Sequence, residues 1–137
     1  MKSWLTVLLF ILTLSTTALC ENKAEKAATD SATRWLLQVD GGHYAESWDI
    51  AAPLFKNAVS KDQWAKMLQA TRAPLGNVVS RAVKSAVYTT SLPGAPDGQY
   101  VVIQFESSFE HKKSAIETVT PSLASDGQWR VSGYFIK

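Results

Sequence analysis

The densest group of chemically capable side chains is Asp40-Gly41-Gly42-His43-Tyr44, with Trp48 one helical turn further on. An imidazole three residues from a carboxylate can act as a general base beside the group that orients it. Asp40 and His43 are therefore the acid–base candidates, with a tyrosine as oxyanion donor. A simpler account, and the preferred one, makes Asp40 and the glycines an interhelical turn. It leaves His43 exposed at the next helix start and puts Tyr44 and Trp48 in the core. Tyr44, Trp48 and Tyr134 are the residues expected at a bound ligand. Core packing accounts equally for Trp35, Trp48, Trp64 and Trp129, because each indole brings a large apolar area and an N–H that needs an acceptor. Glu106 and Glu117 are further carboxylates that an apolar cavity would keep protonated. As alternating strand residues, both are expected to face solvent. Arg72, Arg81 and Lys84 bracket a helix-to-sheet transition and Lys112-Lys113 sits in a turn; a small anion would fit between them, but a solvated surface is preferred.

Other chemistries lack their residues. The chain has no Gly-x-Ser-x-Gly nucleophile elbow, no His-Glu-x-x-His pair and no glycine-rich phosphate loop. Two histidines far apart in sequence and a single cysteine do not make a zinc site. No cofactor and no metal are expected. The balance of 14 basic and 12 acidic residues, with no basic run longer than a pair, gives no nucleic-acid footprint.

The elements that must position these groups can be read from spacing. Met1-Lys2-Ser3 is a charged start, Trp4 to Leu14 an apolar run and Ser15 to Ala18 small or polar, the layout of a signal peptide over residues 1–20. The apolar run is too short to span a bilayer. The protein is expected to be exported, to the periplasm or beyond. Cleavage before Glu21 is preferred to lipidation of Cys20, because Leu19 and Thr17 depart from the usual lipoprotein signal. Residues 21–30 read as a polar tether and residues 31–137 as one domain, long enough to bury a core. Ala28, Ala32, Trp35, Leu36 and Val39 mark a first helix, closed by Gly41-Gly42. Tyr44, Trp48, Ala51 and Phe55 mark a second, kinked or split at Pro53. Ser60-x-x-Gln63 is a capping box opening a third. After Gly76 the period becomes two: strands are expected over residues 78–92, 99–108, 114–123 and 128–136, the last two joined by the Asp126-Gly127 turn. Helices first and strands afterwards predict an α+β fold, with three helices on a curved four-stranded antiparallel meander.

Several stretches together resemble an uncharacterised family of small exported bacterial domains, the domain of unknown function 4019. They are Trp35-Leu36, the run Asp40 to Trp48, Ala52-Pro53-Leu54-Phe55, Arg72 to Gly76, Tyr88 to Gly94 and Trp129 to Tyr134. The resemblance implies a bacterial source and a cone-like fold of the nuclear-transport-factor-like or cystatin-like kind. It brings no catalytic residues. Domains of that shape include isomerases, dehydratases, binders and assembly partners, so fold does not choose a function. The expectation is a non-enzymatic module binding a protein or small ligand through its sheet face or cone mouth. The alternatives are a cofactor-free isomerase or dehydratase, and a structural homodimer.

Overall fold

The computed structural model describes residues 15–137. Most of the expected leader, residues 1–14, therefore lies outside the described residues. Helix α1 (Ser15–Asp40) is continuous, so the segment 21–30 is helical rather than a tether. Its Ala, Glu and Lys content favours helix intrinsically, and Ala28 is already fully buried. A Schellman motif closes α1: the His43 N–H donates to the Gln38 carbonyl and the Gly42 N–H to Val39, with Gly42 at φ +78°. The second expected helix is two, α2 (Tyr44–Asp49) and α3 (Pro53–Ala58), because Pro53 takes the first position of a new helix. Helix α4 (Lys61–Thr71) opens on the Ser60/Gln63 capping box, with both reciprocal bonds formed. A 3₁₀ turn at Ala73–Leu75 leads into the sheet. Among the described residues, no helix is long and apolar enough to cross a membrane.

Strands β1 (Val78–Thr89), β2 (Tyr100–Phe109), β3 (Lys112–Leu123) and β4 (Trp129–Ile136) form an open antiparallel meander in chain order, so the fold is α+β as expected. The helices cover one face. Val101, Ile103 and Phe105 of β2, Val119 of β3 and Val131 of β4 meet Trp35, Leu36, Phe55, Trp64 and Leu68 there. Alternation holds through β2 and β3 but breaks in β4. Pro121 pairs with Val131 and Thr120 with Gly133, which leaves Ser132 as an extra residue, a β-bulge. Beyond it the faces exchange: Tyr134 packs on the core and Phe135 is 61% exposed. Strict alternation from Trp129 would have placed them the other way.

Candidate functional site

Burial of charge defines the first candidate site. Glu117 lies between Ala115 and Val119 on the inward face of β3 and is 0% exposed, which corrects its expected place at the surface. Its Oε1 accepts from Arg81 Nε at 2.7 Å and Ser107 Oγ at 2.5 Å, and its Oε2 accepts from the Tyr134 hydroxyl. Arg81 on β1 then reaches the C-terminus of α1, where Nη1 and Nη2 grip both Asp40 oxygens at 2.7 and 2.9 Å. Arg72, just past α4, donates to Asp40 Oδ1 at 3.2 Å and to the Gly76 carbonyl at 2.6 Å. Its guanidinium carbon lies 4.4 Å from the Phe109 ring centroid. Arg72 is 2% exposed and the Arg81 side chain 14%, so neither arginine forms the solvated surface expected of it. Buried charges persist only when paired and hydrogen-bonded. Here two carboxylates and two guanidiniums cancel, and they tie α1, α4, β1, β2, β3 and β4 together.

The network also sets its members' protonation. Burial works against the Arg81 charge, but the hydrogen bonds it donates to Asp40 and Glu117, with their negative charges, outweigh burial and raise the pKa. Burial, then the adjacent Glu117 charge, push the Tyr134 phenol above the ordinary tyrosine range. Tyr134 is thus held neutral, as a donor.

The expected acid–base pair is not assembled. Asp40 turns inward onto the arginines, whereas His43 is exposed, and no hydrogen bond joins them among the described residues. Tyr44, Trp48 and Tyr134 are partly buried and packed against the core. Trp48 donates to the Val59 carbonyl at 2.8 Å, with the Lys56 ammonium 5.3 Å from its ring centroid. Tyr134 stands edge-on to Trp35 and Trp64, at 5.2 and 6.3 Å between centroids. Beneath them Ser47, fully buried, receives both indoles: Trp35 Nε1 on its carbonyl at 2.8 Å and Trp64 Nε1 on its Oγ at 2.9 Å. The aromatic cluster is thus filled and its indoles are satisfied.

Open chemistry lies beside it, between α4 and β4. A recess of about 230 Å³ is lined by Trp64, Met67, Leu68 and Thr71 on the helix and by Tyr134, Phe135 and Ile136 on the strand. Lys137 exchanges both backbone hydrogen bonds with Ile116. In an antiparallel ladder this turns the N–H and C=O of Tyr134 and Ile136 away from β3, toward the free edge. On the other side of the bulge that edge is already covered: Ala52 N–H donates to the Val131 carbonyl at 2.7 Å and Ser31 Oγ to the Trp129 carbonyl at 2.6 Å. Among the described residues, no backbone group covers the edge at Tyr134 and Ile136. Sequence alternation missed this half of the site because the bulge sets it.

The model of a family described as "Protein of unknown function (DUF4019)" matches residues 31–134. No curated protein matches the chain.

Proposed function

We propose that this protein, which belongs to the DUF4019 family, is a non-enzymatic binding module. It takes an extended segment of another polypeptide along the open half of β4. The observation that carries the reading is the free edge at Tyr134 and Ile136 beside the apolar recess under Met67 and Phe135. An added strand satisfies the edge backbone, and its alternate side chains enter the recess. Met67 and Phe135 are 45% and 61% exposed, which is apolar surface that binding would remove from water. A catalytic reading finds less support, because Asp40 and Glu117 spend their oxygens on guanidinium and hydroxyl donors. The charged start and apolar run at residues 1–14 support export to the periplasm or the medium, with lipidation of Cys20 as the lesser variant.

A photocrosslinking amino acid at Met67 tests the reading in the exporting cell. It should capture another polypeptide, and Ile136→Pro should abolish capture, because proline removes an edge donor while costing no bond to β3. A crosslink to a second copy would replace the partner with a homodimer. Capture that survives Ile136→Pro, or no capture at all, would refute strand addition.

A further inference from the structure

A different recess, of about 230 Å³, lies between α1 and the β3–β4 hairpin. Ala27, Asp30 and Arg34 bound it from the helix, at spacings of three and four that put them on one face. Gly127, Gln128 and Trp129 bound it from the hairpin. Its walls are fixed. Ser31 Oγ donates to the Trp129 carbonyl at 2.6 Å, the Gln128 N–H is held by Asp126 at 3.0 Å, and the Trp129 side chain is packed against the core.

Its polar groups, by contrast, are largely unspent. Asp30 uses one oxygen, on exposed Lys26 at 3.2 Å. Arg34 and Gln128 are exposed, Arg34 has no acidic partner among the described residues, and the indole N–H groups bonded internally there are those of Trp35, Trp48 and Trp64, not Trp129. A carboxylate, a guanidinium and an amide are planar groups that span neighbouring hydroxyls, and the first two cancel in charge. An indole beside them supplies an apolar wall for ring C–H groups. The recess is smaller than the roughly 300 Å³ at which drug-sized pockets begin, which suits one ring.

We propose that this recess binds an uncharged pyranose unit, either as a free sugar or as one residue of a glycan. Asp30 accepts from hydroxyls, Arg34 and Gln128 donate to them, and Trp129 flanks the ring. No bond is made or broken.

The test is a nitrogen–proton NMR titration of the protein with glucose, N-acetylglucosamine and a chitin oligosaccharide. The Trp129 indole signal should shift saturably, while those of Trp35, Trp48 and Trp64, whose N–H groups are bonded internally, should stay in place. Arg34→Ala should weaken binding about tenfold, the loss expected for one charge-assisted hydrogen bond, with the melting temperature unchanged. Saturation by a monosaccharide identifies a free sugar as the ligand; saturation by the oligosaccharide alone identifies a glycan. No shift at Trp129 with any of the three, or Arg34→Ala binding as well as the parent, would overturn the site. Tighter binding of a sugar phosphate than of the neutral sugars would overturn the assignment of an uncharged ligand.

Discussion

Replacing Glu117 with alanine removes one carboxylate from the centre of six elements. Its side chain is fully buried and accepts from Arg81, Ser107 and Tyr134. After Glu117→Ala the two hydroxyls can rotate in search of water, but the Arg81 Nε–H cannot leave, because Asp40 still holds the other end of the guanidinium. Breaking a buried ion pair by removing one partner costs about 3–5 kcal/mol. Whole domains are stable by only about 5–15 kcal/mol, so the loss is a large share of what holds this one together. With a urea slope of about 2 kcal/mol/M, a cost of about 4 kcal/mol lowers the unfolding midpoint by about 2 M. Tryptophan fluorescence reports it directly, since Trp35 and Trp64 pack against Tyr134. Glu117→Gln keeps the shape and one acceptor, and should cost about half as much. The double variant Arg81→Met/Glu117→Met should lose less than the sum of its single changes, by at least about 1.5 kcal/mol, because no charge is left stranded. A cost below about 1 kcal/mol for Glu117→Ala, or additive single changes, would refute the coupling of these charges.

Two further outcomes follow from the same interior. The folded-state pKa of Tyr134 is raised, so its contribution to stability is fully present below the unfolded value near 10 and fades as pH rises above it. Urea midpoints measured from pH 8 to 11 should fall less steeply in Tyr134→Phe than in the parent, and parallel curves would contradict the assignment. Ser47→Ala strands the Trp64 indole N–H in the core and should cost about 1–3 kcal/mol, seen as a melting point lower by roughly 5 °C per kcal/mol. In a Trp64→Phe background the same change should cost less, as double-cycle melting curves would show.

What the sequence made legible was local. The Ser60 capping box, the Gly41-Gly42 closure of α1 and the break at Pro53 each depend on residues within one turn, and each formed where the spacing placed it. The partners of Glu117 could not be read that way, because Arg81 lies 36 positions before it and Asp40 another 41 before Arg81. The one available sign was parity: Glu117 shares its face with Ala115 and Val119, which are both buried. Asp40 and His43 are neighbours in sequence, yet the helix end turns one inward and leaves the other in water. The recess between α4 and β4 depends on a register shift that alternation alone does not reveal. Residues 21–30 were misread for an opposite reason, since their polarity hid a strong helical preference.

Ser132 acts on β4 much as an inserted nucleotide acts on a coding frame. Upstream of it, odd-numbered residues look inward, as Trp129 and Val131 do; downstream, Tyr134 does. The bulge loops Ser132 out, so deleting it would leave Val131, Gly133, Tyr134 and Phe135 in strict alternation, each on the face it already has. Taking Ser132 into the ladder instead, with no bulge to absorb it, would turn Phe135 toward Trp35 and Trp64 and swing Tyr134 into water, away from Glu117. The buried carboxylate would then lose its phenol and the recess its phenylalanine in a single event. What this position must keep is therefore the bulge that absorbs one residue, and the side chain that fills it is secondary.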